Sequence, residues 1–338
     1  MTKTAKFILF FSVLVLLTLG TLLVAPFIGM TKVTVAMLVD PSYEGIEKDI
    51  FWRIRIPRTL VSFVAGCGLA LSGMAFQAMF RNPLATPFTL GVSAGASLGA
   101  AMYVRLGIIF SVAGASGISI FAFMGALLSV ALLYGLTTVS RNFSTATMLL
   151  AGVAISFFFS SVILFTQYIS DHTQSYRIVR WLMGGFEVSG FDSLFNMLPF
   201  VVTGGAILLY MTKELNLITT GDEIAISRGV DIKKVKNVIF FATSMMVGGV
   251  VAISGPIGFV GMMSPHICRL IIGPNHQHLT PATLLFGGVF LTVCDTIARS
   301  VIAPAEIPVG VVTALIGGPF FVWLLLSGVL NKGIFYDS

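Results

Sequence analysis

Two uncharged stretches constrain this chain more than anything else in it. Leu106 to Ser140 runs 35 residues without a charge, and Asn237 to Cys268 another 32. A helix needs only about 20 apolar residues to cross the hydrocarbon core of a bilayer, at roughly 1.5 Å of rise per residue. Each stretch is therefore too long for one span and must be broken by a turn. Gly114 or Gly117 suits the first, and Ser254-Gly255-Pro256 the second. Composition extends the argument to the whole chain. Of the 338 residues 56% are hydrophobic and 10% charged, and the mean hydropathy is +0.97, whereas soluble domains are about 25% charged. Outward-facing polar surfaces cannot be built from this material, which excludes most globular enzymes. A transmembrane barrel would alternate apolar and polar residues, and no such alternation occurs. The expectation is an all-α integral membrane protein.

Dividing the apolar runs at Gly and Pro clusters predicts spans near 7–29, 59–80, 88–104, 113–139, 144–168, 192–211, 236–254, 257–272, 281–301 and 308–329. These ten spans form a single transmembrane domain over 1–338, with a polar segment at 213–235. The apolar run Phe7 to Val24 follows Lys3 and Lys6 as a signal sequence would, but it is long for a signal core and lacks a small-x-small cleavage site. It is read as the first span. An even count puts both termini on one side, and eleven of the twenty Lys and Arg fall on that side, which is thereby predicted to be cytoplasmic. The cluster Arg53, Arg55 and Arg58 falls on the other side and resists that bias. The net charge of +6 is spread between apolar runs rather than gathered into a nucleic-acid patch.

The three cysteines lie in apolar runs without metal-type spacing and read as small core residues. His276 and His278 flank Gln277 and His266 follows Pro265, but spacing alone places no third metal ligand, so they read as solvated loop residues rather than a metal site. Arg53-Ile54-Arg55-Ile56-Pro57-Arg58, joined by Arg299, suits either snorkelling to lipid phosphates or pairing with carboxylates of an acidic partner. Asp295, four residues before Arg299, offers an intrahelical ion pair as an equally simple account. Arg81-Asn82-Pro83-Leu84-Ala85-Thr86-Pro87 is a shaped turn, because two prolines exclude a helix interior. Gly91, Gly95 and Gly99 repeat every four residues and suit a close helix contact ahead of the lining of a pathway. Thr220 to Arg228 reads as a short helix with acids in its first turn and Gly229 as its stop. Ile224, Ala225 and Arg228 then fall on one face, suited to entering a partner's groove or simply to lying at the membrane surface. Ser156, Ser160, Ser161 and Gln167 form a polar stripe that either lines a pathway or bonds back to its own helix. Ala70-Leu71-Ser72-Gly73 is echoed by Ala252-Ile253-Ser254-Gly255, as inverted repeats or chance would produce.

No phosphate-binding loop, nucleophile elbow or HExxH pair is present, so the sequence carries no evident ATPase, hydrolase or metalloprotease machinery. Pumping must draw on a gradient or on another subunit. A gradient-coupled carrier would bury unpaired ionisable groups at midplane, whereas a pump subunit would present a cytoplasmic docking element; the polar segment favours the second. A receptor or scaffold is the remaining rival.

Several motifs, read in order, carry a resemblance. They are Arg55-Ile56-Pro57-Arg58-Thr59-Leu60, Ser72-Gly73 with Gln77, Asn82-Pro83-Leu84-Ala85 with Pro87, and Leu90-Gly91-Val92-Ser93 with Gly95-Ala96. Gly221-Asp222 with Ala225 and Gly229, Gly255-Pro256-Ile257-Gly258-Phe259-Val260-Gly261, Pro265-His266 with Arg269, and Glu306-Ile307-Pro308-Val309-Gly310 complete the set. Together they resemble the iron-siderophore, haem and vitamin B12 permease family of ABC importers, over residues 50 to 329. The resemblance implies a type II importer permease in the bacterial or archaeal cytoplasmic membrane. It implies a homo- or heterodimer with a second permease copy, two ATP-binding subunits inside that use ATP and Mg, and a substrate-binding protein outside. It assigns Asp222, Glu223, Ala225, Arg228 and Gly229 to ATPase coupling, and Arg55, Arg58 and Arg299 to binding-protein docking. Ser156, Ser160, Gln167 and Thr313 become pathway candidates. This chain itself would hold no cofactor and catalyse no reaction, and its cargo would be a metal chelate, a ferric siderophore first, with haem or cobalamin as alternatives.

Overall fold

A computed structural model describes residues 3–39, 45–139 and 145–326. Residue 144 of the fifth expected span and 327–329 of the tenth lie outside them. The helices in chain order are α1 (Lys3–Val24), α2 (Val35–Val39), α3 (Ile46–Asp49), α4 (Ile56–Phe80), α5 (Val92–Leu106), α6 (Gly117–Val139), α7 (Thr145–Tyr168), α8 (His172–Leu182), α9 (Asp192–Tyr210), α10 (Thr212–Thr220), α11 (Asp222–Ser227), α12 (Ile232–Ser254), α13 (Val260–Ile272), α14 (His276–Ala298) and α15 (Val309–Leu326). The strands β1 (Ser111–Val112) and β2 (Ala115–Ser116) pair antiparallel as a small hairpin.

Among the described residues seven helices are long and apolar enough to cross a membrane. Of the other three expected ranges, two overlap the shorter apolar helices Val260–Ile272 and Val309–Leu324 and one the helix Val92–Leu106. The 13 residues of α13 rise about 20 Å, short of a hydrocarbon core of about 30 Å, because the chain before it is not helical. Both long uncharged runs are broken where Gly and Pro stand. α5 and α6 are separated by the hairpin, with Gly114 at φ +77, and α12 ends at Ser254 with Gly255 at φ +65. The break continues to Phe259, a non-glycine residue at φ +67 whose ring lies where a side chain on Gly317 would sit.

α4 is the central helix, nearly all of it buried. Bare backbone lets its neighbours close in. A Cβ on Gly66 would stand 2.2 Å from the carbonyl oxygen of Gly287 in α14, and one on Gly73 would stand 1.8 Å from that of Gly261 in α13. Gly95 and Gly99 play the same part between α5 and α6, where added carbons would meet the Gly125 and Phe121 carbonyl oxygens at 2.3 and 2.0 Å. Close packing is thus the role of that stripe. Gly91 stands outside it, as the N-cap of α5 at φ +82. The four-residue echo has no common local structure. Ala70–Gly73 lies inside α4, while Ser254-Gly255 is the end of α12.

The arginine segment departs from expectation. Instead of preceding the span as loop, Ile46–Phe80 is one continuous helix, wound with i→i+5 bonds over Ile50–Arg55. Such wide turns rotate the residues they carry and are frequent at functional sites. α8, a helix absent from the expected elements, is capped by Asp171, which accepts a 2.8 Å bond from the Gln174 amide.

Candidate functional site: two polar ends of one helical bundle

α4 and α14 run antiparallel, so the start of one meets the end of the other. At that end Arg58 donates to Asp295 from Nε at 3.1 Å to both carboxylate oxygens and from Nη2 at 2.9 Å, and to Glu306 from Nη1 at 2.8 Å. The Asp295 side chain is 1% exposed and that of Glu306 52%. Arg299 reaches Asp295 only at 3.9 Å and instead donates at 2.7 Å to the Ala25 carbonyl. The intrahelical pair is therefore the lesser contact of Asp295, and the major one comes from α4. Arg55 donates to the carbonyls of Pro26 at 3.2 Å, Phe27 at 3.3 Å and Thr31. Two guanidinium groups thus hold carbonyls of the chain just beyond the C-terminal end of α1.

This corrects the picture of three outward arginines. Arg55, Arg58 and Arg299 are 5, 8 and 7% exposed, because each finds acceptors inside the bundle. Arg53 is the outward one, 78% exposed and paired with Asp49 at 3.2 Å. Beside the cluster lies a cavity of about 560 Å³ lined by Arg58, Arg177, Arg180, Trp181, Glu187 and Glu306 among others. Arg180 pairs with Glu187 at 2.9 Å. Three chain breaks meet under the cavity: Gly185 donates to the Ser254 carbonyl at 2.7 Å, and Gly310 to that of Gly184 at 3.2 Å. Carbons on Gly184 and Gly310 would collide with backbone carbonyl oxygens at 2.2 Å.

At the opposite end α10 and α11 form the polar segment. α11 spans Asp222–Ser227, shorter than the expected Thr220–Arg228. Thr220 is not its cap; that hydroxyl bonds back to Leu217 in α10, and Gly221 at φ 133 makes the turn. The stop is as expected. Gly229, at φ +81, donates to Ile226, and Val230 donates to Ala225, the paired bonds of a left-handed helix terminus. Ala225 is fully buried and leaves the outward face to Glu223, Ile224, Ile226 and Arg228. Ala225 thus packs inward, as the foot of the helix. Asp222 is also engaged within the chain, with Arg81 and, at 2.9 Å, with Lys236 Nζ.

A second fastening joins α10 to α14. Asn216 Oδ1 accepts from the His276 backbone amide at 2.8 Å and lies 2.9 Å from His276 Nδ1, while its amide donates at 3.0 Å to Asn275 Oδ1. Asn275 in turn caps α14. Deeper still, Arg269 donates to Gln77 at 3.1 Å, and Gln77 to the Met262 carbonyl at 3.3 Å. His266 and His276 are 1 and 2% exposed, not solvated as expected, because both stand on helices in the core. His278 stacks on Phe7 with ring centroids 4.3 Å apart.

The pathway candidates do not converge. Ser156 and Ser161 bond back to the Gly152 and Phe157 carbonyls at 2.8 and 2.9 Å. Ser160 is exposed on α7, Gln167 half-buried. Thr313 is fully buried and bonded to Gly310. The cysteines are buried, as core residues are. Sequence reasoning missed Arg81, Lys236, Asn216, Arg177 and Arg180 as site residues. Only the Asp171-x-x-Gln174 capping pattern signalled the helix that carries the last two.

Known proteins are similar to this chain in sequence and in fold. The cobalamin import system permease protein BtuC of Halobacterium salinarum is 38% identical over 272 residues, covering 80% of this chain and 72% of its own. The hemin transport system permease protein HmuU of Yersinia pestis is 35% identical over 302 residues, covering 88 and 86%. A solved structure described as an inward-facing metal-chelate type ABC transporter superposes with a TM-score of 0.83 at 33% identity, covering 95% of this chain and 99% of the other. The model of the FecCD transport family matches residues 12–327. With that match over nearly its whole length, the chain belongs to the FecCD transport family, the multi-pass permeases of ABC importers.

Proposed function

We propose that this chain is the membrane-crossing half of an ATP-driven importer for a metal chelate, with ferric siderophore as the first cargo to test and haem and cobalamin as the alternatives. The observation that carries the reading is the polarity of the bundle. One end buries a charged cluster beside a wide cavity, and the other displays a short helix footed by Ala225, stopped by Gly229 and held by Asp222 to both α4 and α12. A helix gripped this firmly from behind can push the bundle when its outward face is moved. Glu223, Ile224 and Arg228 supply that face, to be held by one of two ATP-binding subunits that consume ATP and Mg. Asp222, Ala225 and Gly229 hold it in place.

The arginine end is then outside and receives a substrate-binding protein, and both termini are cytoplasmic. Docking falls on Glu306, Arg177 and Arg180 around the cavity. Arg58, Arg55 and Arg299 act beneath that surface by fixing its shape. Two such chains, identical or not, form the passage between them, and the exposed face of α7 with Ser160 and Gln167 contributes to it. Cargo crosses by alternating access. The chain is reconstituted in proteoliposomes with its ATP-binding subunit and binding protein, and uptake of a ferric siderophore, haem and cobalamin is measured. ATP-dependent uptake of one of them is the expected result. Accumulation of cargo against its gradient by the isolated chain would overturn the reading in favour of a gradient-coupled carrier.

A further inference from the structure

Asn216 occupies a position that nothing so far explains. It is a half-buried polar residue on α10, not on the exposed face of α11, and both polar atoms of its side chain bond to the start of α14 and its cap. Its carbonyl oxygen takes the first backbone amide of α14, an orphan donor at a helix start, and its ring partner His276 is buried. Its amide holds Asn275, the cap of the same helix. The segment α10–α11 is thus fastened twice, by Asp222 to α4 and α12 and by Asn216 to α14.

What lies at the far end of α14 gives the second fastening its meaning. His276 to Asp295 is 19 residues, about 29 Å of helix at 1.5 Å per residue, and Asp295 holds Arg58 from α4 through both carboxylate oxygens. Between these ends α14 lies against α4 at bare-backbone distance. A carbon added at Gly287 would lie 2.3 Å from the Ala70 side chain, and one at Gly66 would lie 2.2 Å from the Gly287 carbonyl oxygen. Pro281 interrupts the helical bonding only near the Asn216 end. Close-packed interiors transmit displacement rather than absorb it.

We infer that Asn216 is a positioning residue, which ties the inner helix pair to the start of α14 so that its movement is delivered to the Asp295–Arg58–Glu306 cluster at the opposite end. The inference rests on the reading of the chain as an ATP-driven importer. α14 is the strut and Asn216 is its inner joint.

The test reads movement at one end while the joint is opened at the other. Ala305→Cys places a thiol in the exposed α14–α15 connection beside Glu306, and the native Cys67, Cys268 and Cys294 are buried and silent. The complex of permease and ATP-binding subunit is labelled with a membrane-impermeant maleimide, with and without nucleotide. The parent should change its labelling rate by about fivefold, the lower range of measured couplings, and Asn216→Ala by no more than about twofold. Asn216→Asp, which keeps the acceptor, should recover most of the response, as a merely structural loss would not. Since truncation could impair folding, the Asn216→Cys/His276→Cys pair is closed as a disulfide by mild oxidation, which leaves the thiol at position 305 free, and labelling of the peptide that carries position 305 is compared with that of the reduced protein. The response should be present closed and weak open. A folded Asn216→Ala variant that responds as fully as the parent, or a crosslinked pair indifferent to closure, overturns the inference alone. A parent complex that shows neither nucleotide response nor ATP-driven uptake overturns the importer reading, and this inference with it.

Discussion

Removing the Arg58 guanidinium would leave the Asp295 carboxylate, 1% exposed, without its bidentate partner. Breaking one side of a buried pair costs about 3–5 kcal/mol, so Arg58→Ala should lower the detergent unfolding midpoint sharply. Arg58→Leu with Asp295→Leu should recover much of that loss, and a double-mutant cycle measures the coupling. Additive losses, the double variant losing the sum of the two single ones, would show that the pair does not stabilise the fold. None of this was legible in sequence, where Arg58 and Asp295 lie 237 residues apart. The spacing of Asp295 and Arg299 pointed instead to each other. Helical periodicity identifies neighbours on one helix, whereas the partner that wins is brought by the packing of another.

At the scale of elements, local chemistry was more legible than contacts. Gly229 announced the end of α11, since a left-handed terminus favours glycine. Gly229→Ala should cost about 1–2 kcal/mol of strain and reduce ATP-driven uptake more than binding of the ATP-binding subunit, as measured by co-purification against transport. Breaks at Gly114 and Gly255 were likewise readable, because long uncharged runs had to fold back. The start of α11 was misplaced at Thr220, whose hydroxyl serves α10. α8 escaped notice because two membrane spans overshadowed an amphipathic stretch between them. Gly73 gives the sharpest test of helix packing. An added methyl at 1.8 Å from the Gly261 carbonyl oxygen must push α13 away from α4, and overpacking of this kind costs about 1–3 kcal/mol or more. Gly73→Ala should therefore lower the unfolding midpoint, while Gly135→Ala, which has open space around it, should leave it unchanged.

The molecule as a whole is built around α4, with fastenings at both ends and bare-backbone contacts between. Class and family were legible from composition and ordered motifs, because the bilayer imposes a simple rule on apolar length. The identity of the cargo was not, since relatives of nearly equal similarity are named for cobalamin and for hemin. At this scale the expected behaviour is dependence. The isolated chain in vesicles under a proton or sodium gradient should accumulate no chelate, and adding the ATP-binding subunit, binding protein and ATP should restore uptake, as followed by radiolabelled iron.

The segment just beyond α1 bears on how the chain is made. Its carbonyls are answered by Arg55 and by Arg299, the latter 274 residues further on. The contact from Arg299 to the Ala25 carbonyl, which the Ile28 amide also reaches, therefore forms only after almost the entire polypeptide has been synthesised.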